Sequence, residues 1–158
     1  MQTLLLLTAE ANQEAPCRML EDIAVAQQLR LIILDQTSLG ERLQTESEPS
    51  LVLLAPGLGR TLPLARAVRK QWPQCELVFL CLPGEVDTLR RSFGIAPLLG
   101  TYWSIVEMER DQLGREVARS LNAGRRRSKL RTTLERANAT IAAPRAEFTG
   151  LSQRRLNA

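Results

Sequence analysis

The sequence predicts an α/β domain built on a parallel β-sheet, followed by an extended C-terminal helix. Five short apolar runs are spaced along the first two thirds of the chain, and amphipathic stretches of about ten residues separate them. Such runs are too short for stable helices but suit strands that are buried on both faces. Strands that alternate with helices form a parallel sheet through right-handed crossovers. The runs are residues 4–7, 31–34, 51–54, 77–82 and 97–99.

Each interval between two runs carries a helix signal. Residues that favour a helix start are Pro16, Thr37 with Ser38, Thr61 as the N-cap with Pro63 in the first turn, and Pro83 with Gly84. Apolar residues recur at helical spacing in the four intervals: Leu20, Ile23 and Ala24; Leu39 and Leu43; Ala65, Val68 and Trp72; Val86, Leu89 and Phe93. Pro73 and Gly94 end the third and fourth helices. Five strands and five helices in about 120 residues predict the flavodoxin-like plan with strand order 2-1-3-4-5.

Composition narrows the possible chemistry. The 158 residues include no histidine, which removes histidine-based catalysis and the commonest metal ligand. Cys17, Cys75 and Cys81 have the spacing of neither a disulfide framework nor a zinc site, so we expect reduced, buried thiols in the cytoplasm. No stretch reaches the roughly 18 apolar residues that span a bilayer, and we expect no membrane contact from this segment.

The charge is distributed unevenly along the chain. Residues 1–109 carry nine basic and thirteen acidic side chains, a net charge of −4, whereas residues 110–158 carry twelve and four, a net charge of +8. An acidic domain followed by a basic segment indicates two parts with different roles.

The ends of the apolar runs lack catalytic groups. The third run is followed by Ala55, and the first run leads into Thr8 and Ala9. Glu10 is the one nearby acid, and a lone carboxylate at a strand end is more often a solvated loop residue than a metal ligand. We therefore expect no metal, no cofactor and no enzymatic activity.

Three segments carry a resemblance to a known family. Residues 49–55, the helix that ends at 67–73 and the strand at 77–81 resemble the middle of a two-component receiver domain, and the similarity covers roughly residues 3–123. A phosphorylatable receiver has two acids after the first strand, an aspartate after the third, a Ser or Thr after the fourth and a lysine after the fifth. The matching positions here are Thr8 and Ala9, Ala55, Cys81 and Thr101. The resemblance implies a pseudo-receiver, which keeps the fold without the phosphate chemistry.

Two further motifs lie beside the predicted strands. The loop at residues 57–61 could present N–H groups to an anion, but it has neither the third glycine of a dinucleotide site nor the lysine of a P-loop. A plain connecting loop is the favoured interpretation. Tyr102 and Trp103 follow the predicted fifth strand, on the face that receivers use for partner contacts. Burial against the last helix is an equal alternative for these two aromatic residues.

The C-terminal third predicts one long helix. No proline interrupts Asp111 to Ala142, a length of about 48 Å as a helix, and Pro144 is expected to end it. Its first half should pack on the sheet through Leu113, Val117 and Leu121. Its second half has the 4-3-4 spacing of a coiled-coil seam at Leu130, Leu134, Ala137 and Ile141. So short a seam needs a second copy or a downstream domain, and Gly124 offers an alternative break.

This organisation predicts a pseudo-receiver domain at residues 1–123, a coiled-coil dimerisation helix at 124–143 and a linker at 144–158 to a downstream domain. Arg125, Arg126 and Arg127 form a basic run, for which a solvated face is favoured over a nucleic-acid contact. The layout resembles bacterial antiterminators with an RNA-binding domain, although Phe148 is the sole aromatic residue after residue 110 and offers no stacking platform. Residues 131–144 more closely resemble the connector of bacterial sensor histidine kinases. The predicted function is a homodimeric, two-component signalling module that contacts other signalling proteins, with RNA-binding antitermination as the alternative.

Overall fold

The computed structural model describes residues 2–9, 14–58, 60–93 and 102–156, with side chains in the last range up to residue 141. The strands are β1 (Thr3–Thr8), β2 (Arg30–Asp35), β3 (Leu51–Leu54), β4 (Glu76–Cys81) and β5 (Trp103–Glu107). The helices are α1 (Glu14–Gln27), α2 (Leu39–Thr45), α3 (Thr61–Gln71), α4 (Val86–Phe93) and α5 (Arg110–Leu156). The strands form one parallel sheet in the order β2-β1-β3-β4-β5, which confirms the predicted fold class.

Helices cover both faces of the sheet. Alternate residues of the inner strands point to opposite faces, so Leu5 and Leu7 belong to one core cluster and Leu4 and Leu6 to the other. The first cluster includes residues of α2, α3 and α4, and the second includes residues of α1 and α5. Because β1, β3 and β4 are covered on both sides, they consist almost entirely of apolar residues.

The fifth strand is not where the sequence places it. The predicted run at 97–99 lies outside the described residues, and the strand that pairs with β4 is Trp103–Glu107. This strand lies at the edge of the sheet, is mostly half-buried, and interleaves Ser104 and Glu107 with apolar residues. A continuous apolar run is a signal for a fully buried strand, so the search for such a run missed this one.

The start of α3 also differs from the prediction. Arg60 is the N-cap residue, its side chain makes no capping bond, and Thr61 is already the first helical residue. The Thr61 hydroxyl instead donates a hydrogen bond to the carbonyl oxygen of Leu58 at 2.9 Å. The buried Leu58 side chain belongs to the core cluster of α3, which anchors the loop before the helix.

The last helix is longer than predicted. It runs without a break through Gly124, and it continues past Pro144 to Leu156, so the predicted end at Pro144 is wrong. A proline removes one backbone hydrogen bond of a helix without necessarily ending it. Leu113, Val117 and Leu121 are buried against the sheet, as the sequence predicts.

The chain divides into two compact units, Met1–Gly124 and Arg125–Ala158. The first contains the sheet and its two core clusters. The assignment of the second to a dimerisation helix and a linker stays a prediction. In the part of the chain that the structure describes, no helix is both long enough and apolar enough to cross a membrane.

Candidate functional site

All five strands are parallel, so their carboxyl ends meet at one edge of the sheet, where sites of such folds are built. The inner strands β1, β3 and β4 end at Thr8, Leu54 and Cys81. The outer strands β2 and β5 end at Asp35 and Glu107. Among the five residues that end the strands, the two acidic ones therefore belong to the two outermost strands.

Structural residues occupy the last position of β1 and the positions just after β1 and β3. Thr8 is fully buried, and its hydroxyl donates a hydrogen bond to the carbonyl oxygen of Leu34 at 3.4 Å. Ala9 packs against the core. Ala55 is 3% exposed and donates its N–H to the carbonyl oxygen of Leu7 at 2.9 Å. These side chains offer one hydroxyl group, which already has a partner.

The end of β4 carries a protonated thiol. Cys81 is buried, and its sulfur lies 3.6 Å from the carbonyl oxygen of Val106. Burial raises the pKa of this thiol, and the negative charges of Glu107 and Glu85 raise the pKa further. A thiol in this environment is a weak nucleophile at neutral pH.

The position that ends the fifth strand needs a correction. Thr101, the predicted position, lies outside the described residues, and β5 ends at Glu107. Where the receiver resemblance would place a lysine, this chain thus holds an acid. The Glu107 carboxylate accepts the backbone N–H of Gly84 at 3.1 Å, at the entry to α4.

The carboxylate of Asp35, at the opposite end of this edge, also accepts hydrogen bonds, and they come from its own loop. Its carboxylate accepts hydrogen bonds from the Thr37 hydroxyl at 2.7 Å and from the Ser38 N–H at 2.8 Å. These bonds lower the pKa of Asp35. The carboxylate thus supports the turn that starts α2. Across the described residues, no group of three or more His, Cys, Asp or Glu side chains is arranged to hold a metal ion.

Tyr102 and Trp103 lie at the start of β5, not after it, and hence at the amino edge of the sheet. Trp103 packs edge-on against Phe79 and Phe93, with ring centroids 5.8 and 6.1 Å away. These rings belong to β4 and α4, so the predicted alternative of burial against the last helix is wrong for Trp103. Arg69 donates to the carbonyl oxygen of Tyr102 at 2.9 Å and lies 6.0 Å from the centre of its ring. Both aromatic residues stay half-exposed, and their role in partner contacts stays a prediction.

A groove that the sequence analysis missed lies between α4, β5 and α5. Its volume is about 520 Å³, and its lining residues are Val86, Ile105, Val106, Glu107, Gln112, Arg115, Glu116 and Arg119. Glu116 is central to it, because its carboxylate accepts hydrogen bonds from Ser104 at 2.8 Å and from Arg119. Burial alone would raise the pKa of Glu116, but these hydrogen bonds and the charge of Arg119 outweigh burial and lower it. The sequence does carry one signal for this groove. Polar residues recur at helical spacing at positions 112, 115, 116 and 119, which places them on one side of α5.

The predicted seam residues lie on an exposed part of α5. The exposed fractions are 64% for Leu130, 63% for Leu134 and 60% for Ile141, and Ala137 is also exposed. Their positions in the helix place them along one stripe. Among the described residues, five large apolar side chains are exposed to solvent. They are Leu130, Leu134 and Ile141 of this stripe, together with Val25 and Leu82 elsewhere.

The basic run precedes this stripe on the same helix. Arg125 and Arg126 are exposed and Arg127 is half-buried. Arg131 forms an exposed ion pair with Glu135 at 3.9 Å. The side chains of Arg126, Lys129 and Arg136 are exposed, and within the described residues no hydrogen bond or ion pair engages them.

The sequence matches no family model and no curated protein. Solved structures are similar to it in fold. A signal receiver domain of an HD domain-containing protein from Pseudomonas fluorescens aligns with 81% of this chain and 92% of its own, at a TM-score of 0.63 and 14% identity. A response regulator receiver domain from Clostridium thermocellum aligns with 82% of this chain and 98% of its own, at a TM-score of 0.58 and 14% identity.

NtrX from Brucella abortus is similar over 82% of this chain, at a TM-score of 0.64 and 19% identity. The aligned part is 29% of the NtrX chain, so this chain spans less than a third of that protein. All three identities are below 25%, so the similarity concerns the fold. The chain has the fold of response-regulator receiver domains.

Proposed function

We propose that this chain is a signalling module of the two-component type that does not accept a phosphoryl group and acts through protein–protein contacts. The observation that carries the proposal is the carboxyl edge of the sheet. Thr8, Ala55 and Cys81 occupy the inner positions, where the receiver resemblance calls for groups that bind magnesium and accept phosphate. A cytoplasmic location belongs to the same proposal.

Distance argues against a substitute site shared by the two acidic residues that end strands. Asp35 and Glu107 end strands that are four positions apart in the sheet, which corresponds to about 19 Å at roughly 4.8 Å per strand. Magnesium binds oxygen ligands at about 2.1 Å, so these two carboxylates cannot share one ion. Each also accepts a backbone N–H, Asp35 from Ser38 in its own loop and Glu107 from Gly84 at the entry to α4. These two carboxylates thus do not replace the magnesium-binding acids that the receiver resemblance calls for.

Incubation with acetyl phosphate and Mg²⁺ tests this part of the proposal. We expect the intact mass of the chain to stay unchanged, while a phosphorylatable receiver domain treated in parallel gains a phosphoryl group. An acid-labile phosphoprotein formed by this chain would contradict the proposal. If one appeared, Asp35→Asn and Glu107→Gln variants would locate the acceptor.

The output of the module is proposed to pass through α5. Leu130, Leu134, Ala137 and Ile141 form an exposed apolar stripe, and burial of such a stripe against a second helix is favourable by roughly 25 cal/mol per Å² of apolar surface. We propose a second copy of the chain as the main partner, with a downstream domain or another signalling protein receiving the signal. Tyr102 and Trp103 belong to the proposed partner face.

Exposed cations favour one second candidate, an RNA-binding antiterminator. Arg126, Lys129 and Arg136 are exposed on the same helix, where they could contact the phosphate groups of RNA. This function would give retention on RNA that falls steeply with salt and that weakens when Arg125, Arg126 and Arg127 are replaced by Gln. Retention that is absent at about 50 mM salt would remove this candidate.

A further inference from the structure

The apolar stripe of α5 has an internal pattern that bears on how two copies would pair. This inference rests on the proposed dimer and concerns the direction of its helices. The stripe consists of three large residues, Leu130, Leu134 and Ile141, and one small residue, Ala137. All four are exposed in the single chain. Two copies can bury these residues in a parallel or an antiparallel arrangement, and the two arrangements pair different residues.

Side-chain volume favours the antiparallel arrangement. In-register parallel helices place each residue beside its own copy, so Ala137 meets the partner's Ala137 and leaves a gap in the seam. Antiparallel helices centred between residues 135 and 136 place Leu134 opposite the partner's Ala137 and Leu130 opposite the partner's Ile141. A large residue then faces a small one, which fills the interface without a cavity.

Charge favours the same direction. Residues 125–131 include five basic residues and no acid, whereas residues 140–146 include one basic residue, Arg145, and no acid. Parallel pairing sets the two strongly basic segments side by side. Antiparallel pairing sets each one beside residues 140–146 of the partner, so the product of the facing charges, summed over both pairs of segments, falls roughly 2.5-fold.

The next position of the seam adds a third argument. Arg127 precedes Leu130 by three residues and continues the same stripe. Parallel helices would bring Arg127 against the partner's Arg127 at the interface, where two guanidinium groups repel each other and lose water. Antiparallel helices remove this contact because the partner's residue 144 faces that position. We propose that two copies of this chain pair through residues 130–141 in antiparallel orientation.

Distances between spin labels test the direction. Labels are attached at Arg125→Cys or at Ala139→Cys, in a Cys17→Ser background in which Cys75 and Cys81 are buried. A sample without the introduced cysteine measures labelling of the native thiols. In the antiparallel dimer, the two residues 125 are 21 positions apart along the axis, or about 31 Å, and the two residues 139 are seven positions apart, or about 10 Å. We therefore expect a distance that is longer at residue 125 than at residue 139 by about 20 Å.

The competing outcomes are distinct. Similar short distances at both sites would mean parallel helices and would overturn this inference while leaving the proposed dimer in place. Absence of dipolar coupling at both sites, together with a monomeric mass, would overturn the pairing itself and with it this inference. Salt gives a second measurement, because a parallel dimer should tighten steeply between about 50 and 500 mM salt, whereas the antiparallel dimer should respond weakly.

Discussion

Two stretches of the same helix have equally regular leucine spacing but opposite environments. Leu113 and Leu121 are 0% and 4% exposed in the first unit, whereas Leu130 and Leu134 are 64% and 63% exposed in the second. Helical periodicity predicts the stripe in both stretches. The difference lies in what covers it: the sheet covers the first stripe, and within the described residues the second has no such cover. Periodicity therefore predicts that a helix has an apolar stripe. It does not predict whether the rest of the fold or a partner chain covers that stripe.

The two units also differ in charge. The sheet-containing part of the chain is acidic, and the segment after it is basic. Polar groups of the first unit are tied into specific networks, such as Glu116 with Ser104 and Arg119. On the exposed helix, Arg131 and Glu135 form an ion pair at 3.9 Å between exposed side chains. Equivalent substitutions in the two units should thus have very different effects on stability.

The largest contrast is expected for leucine truncation. Leu53 is 0% exposed in β3, so Leu53→Ala should lower the free energy of unfolding by about 2–5 kcal/mol through lost burial and a cavity. Leu130→Ala should leave it unchanged. The fluorescence of Trp72 and Trp103 during denaturation in urea reports on the first unit alone. Equal losses for the two variants would break the distinction between a covered and an uncovered stripe.

Arginine truncation should give a smaller contrast. Arg69 donates hydrogen bonds to the carbonyl oxygens of Pro73, Cys75 and Tyr102, and it thereby ties the α3–β4 turn to the start of β5. We expect Arg69→Ala to cost about 2 kcal/mol, since hydrogen bonds from charged donors contribute more than neutral ones. Arg131→Ala is the matched variant on the exposed helix and should cost less than about 0.5 kcal/mol. The same denaturation curves measure both, and a larger loss for Arg131→Ala would contradict the comparison.

The smallest contrast concerns pH. The pKa of Glu116 is lowered in the folded chain, so its carboxylate stabilises the fold above its ordinary pKa, and this contribution is lost as pH falls through the lowered value. We expect Glu116→Gln to reduce the loss of stability as the pH falls below the ordinary pKa of a glutamate. Glu135→Gln, at a site where the carboxylate is 71% exposed, is the matched variant on the exposed helix. Identical acid profiles for the parent and Glu116→Gln would contradict the role of this network.

The fold was predictable because most strands are continuous apolar runs. Leu51–Leu54 is one such run, and it is entirely buried between helices on both faces. Strand β5 was not recognised as an apolar run because Ser104 and Glu107 interrupt its apolar residues. Such polar residues are typical of a strand at the edge of a sheet. That one error displaced Tyr102 and Trp103 to the wrong edge and put Thr101 where Glu107 belongs.

The residues at the ends of the inner strands were predictable from the sequence, whereas those at the ends of the outer strands and in the groove beside β5 were not. The absence of acids at Thr8, Ala9 and Ala55 is visible in the sequence once the strand ends are located. That Asp35 and Glu107 are too far apart to form one site follows from the strand order, which places them at opposite ends of the carboxyl edge. The groove around Glu116 depends on how α4 and α5 flank β5, and such packing is not encoded in local periodicity.

The molar mass in solution tests the central claim, that the stripe of α5 is an interface between two copies. Light scattering should give about twice the 17.6 kDa chain mass for the parent and a single chain mass for Leu134→Glu. Ala139→Glu introduces the same charge on the opposite side of the helix and should remain dimeric with an intact first unit. A single chain mass for the parent, or a dimer that survives Leu134→Glu, would contradict the account.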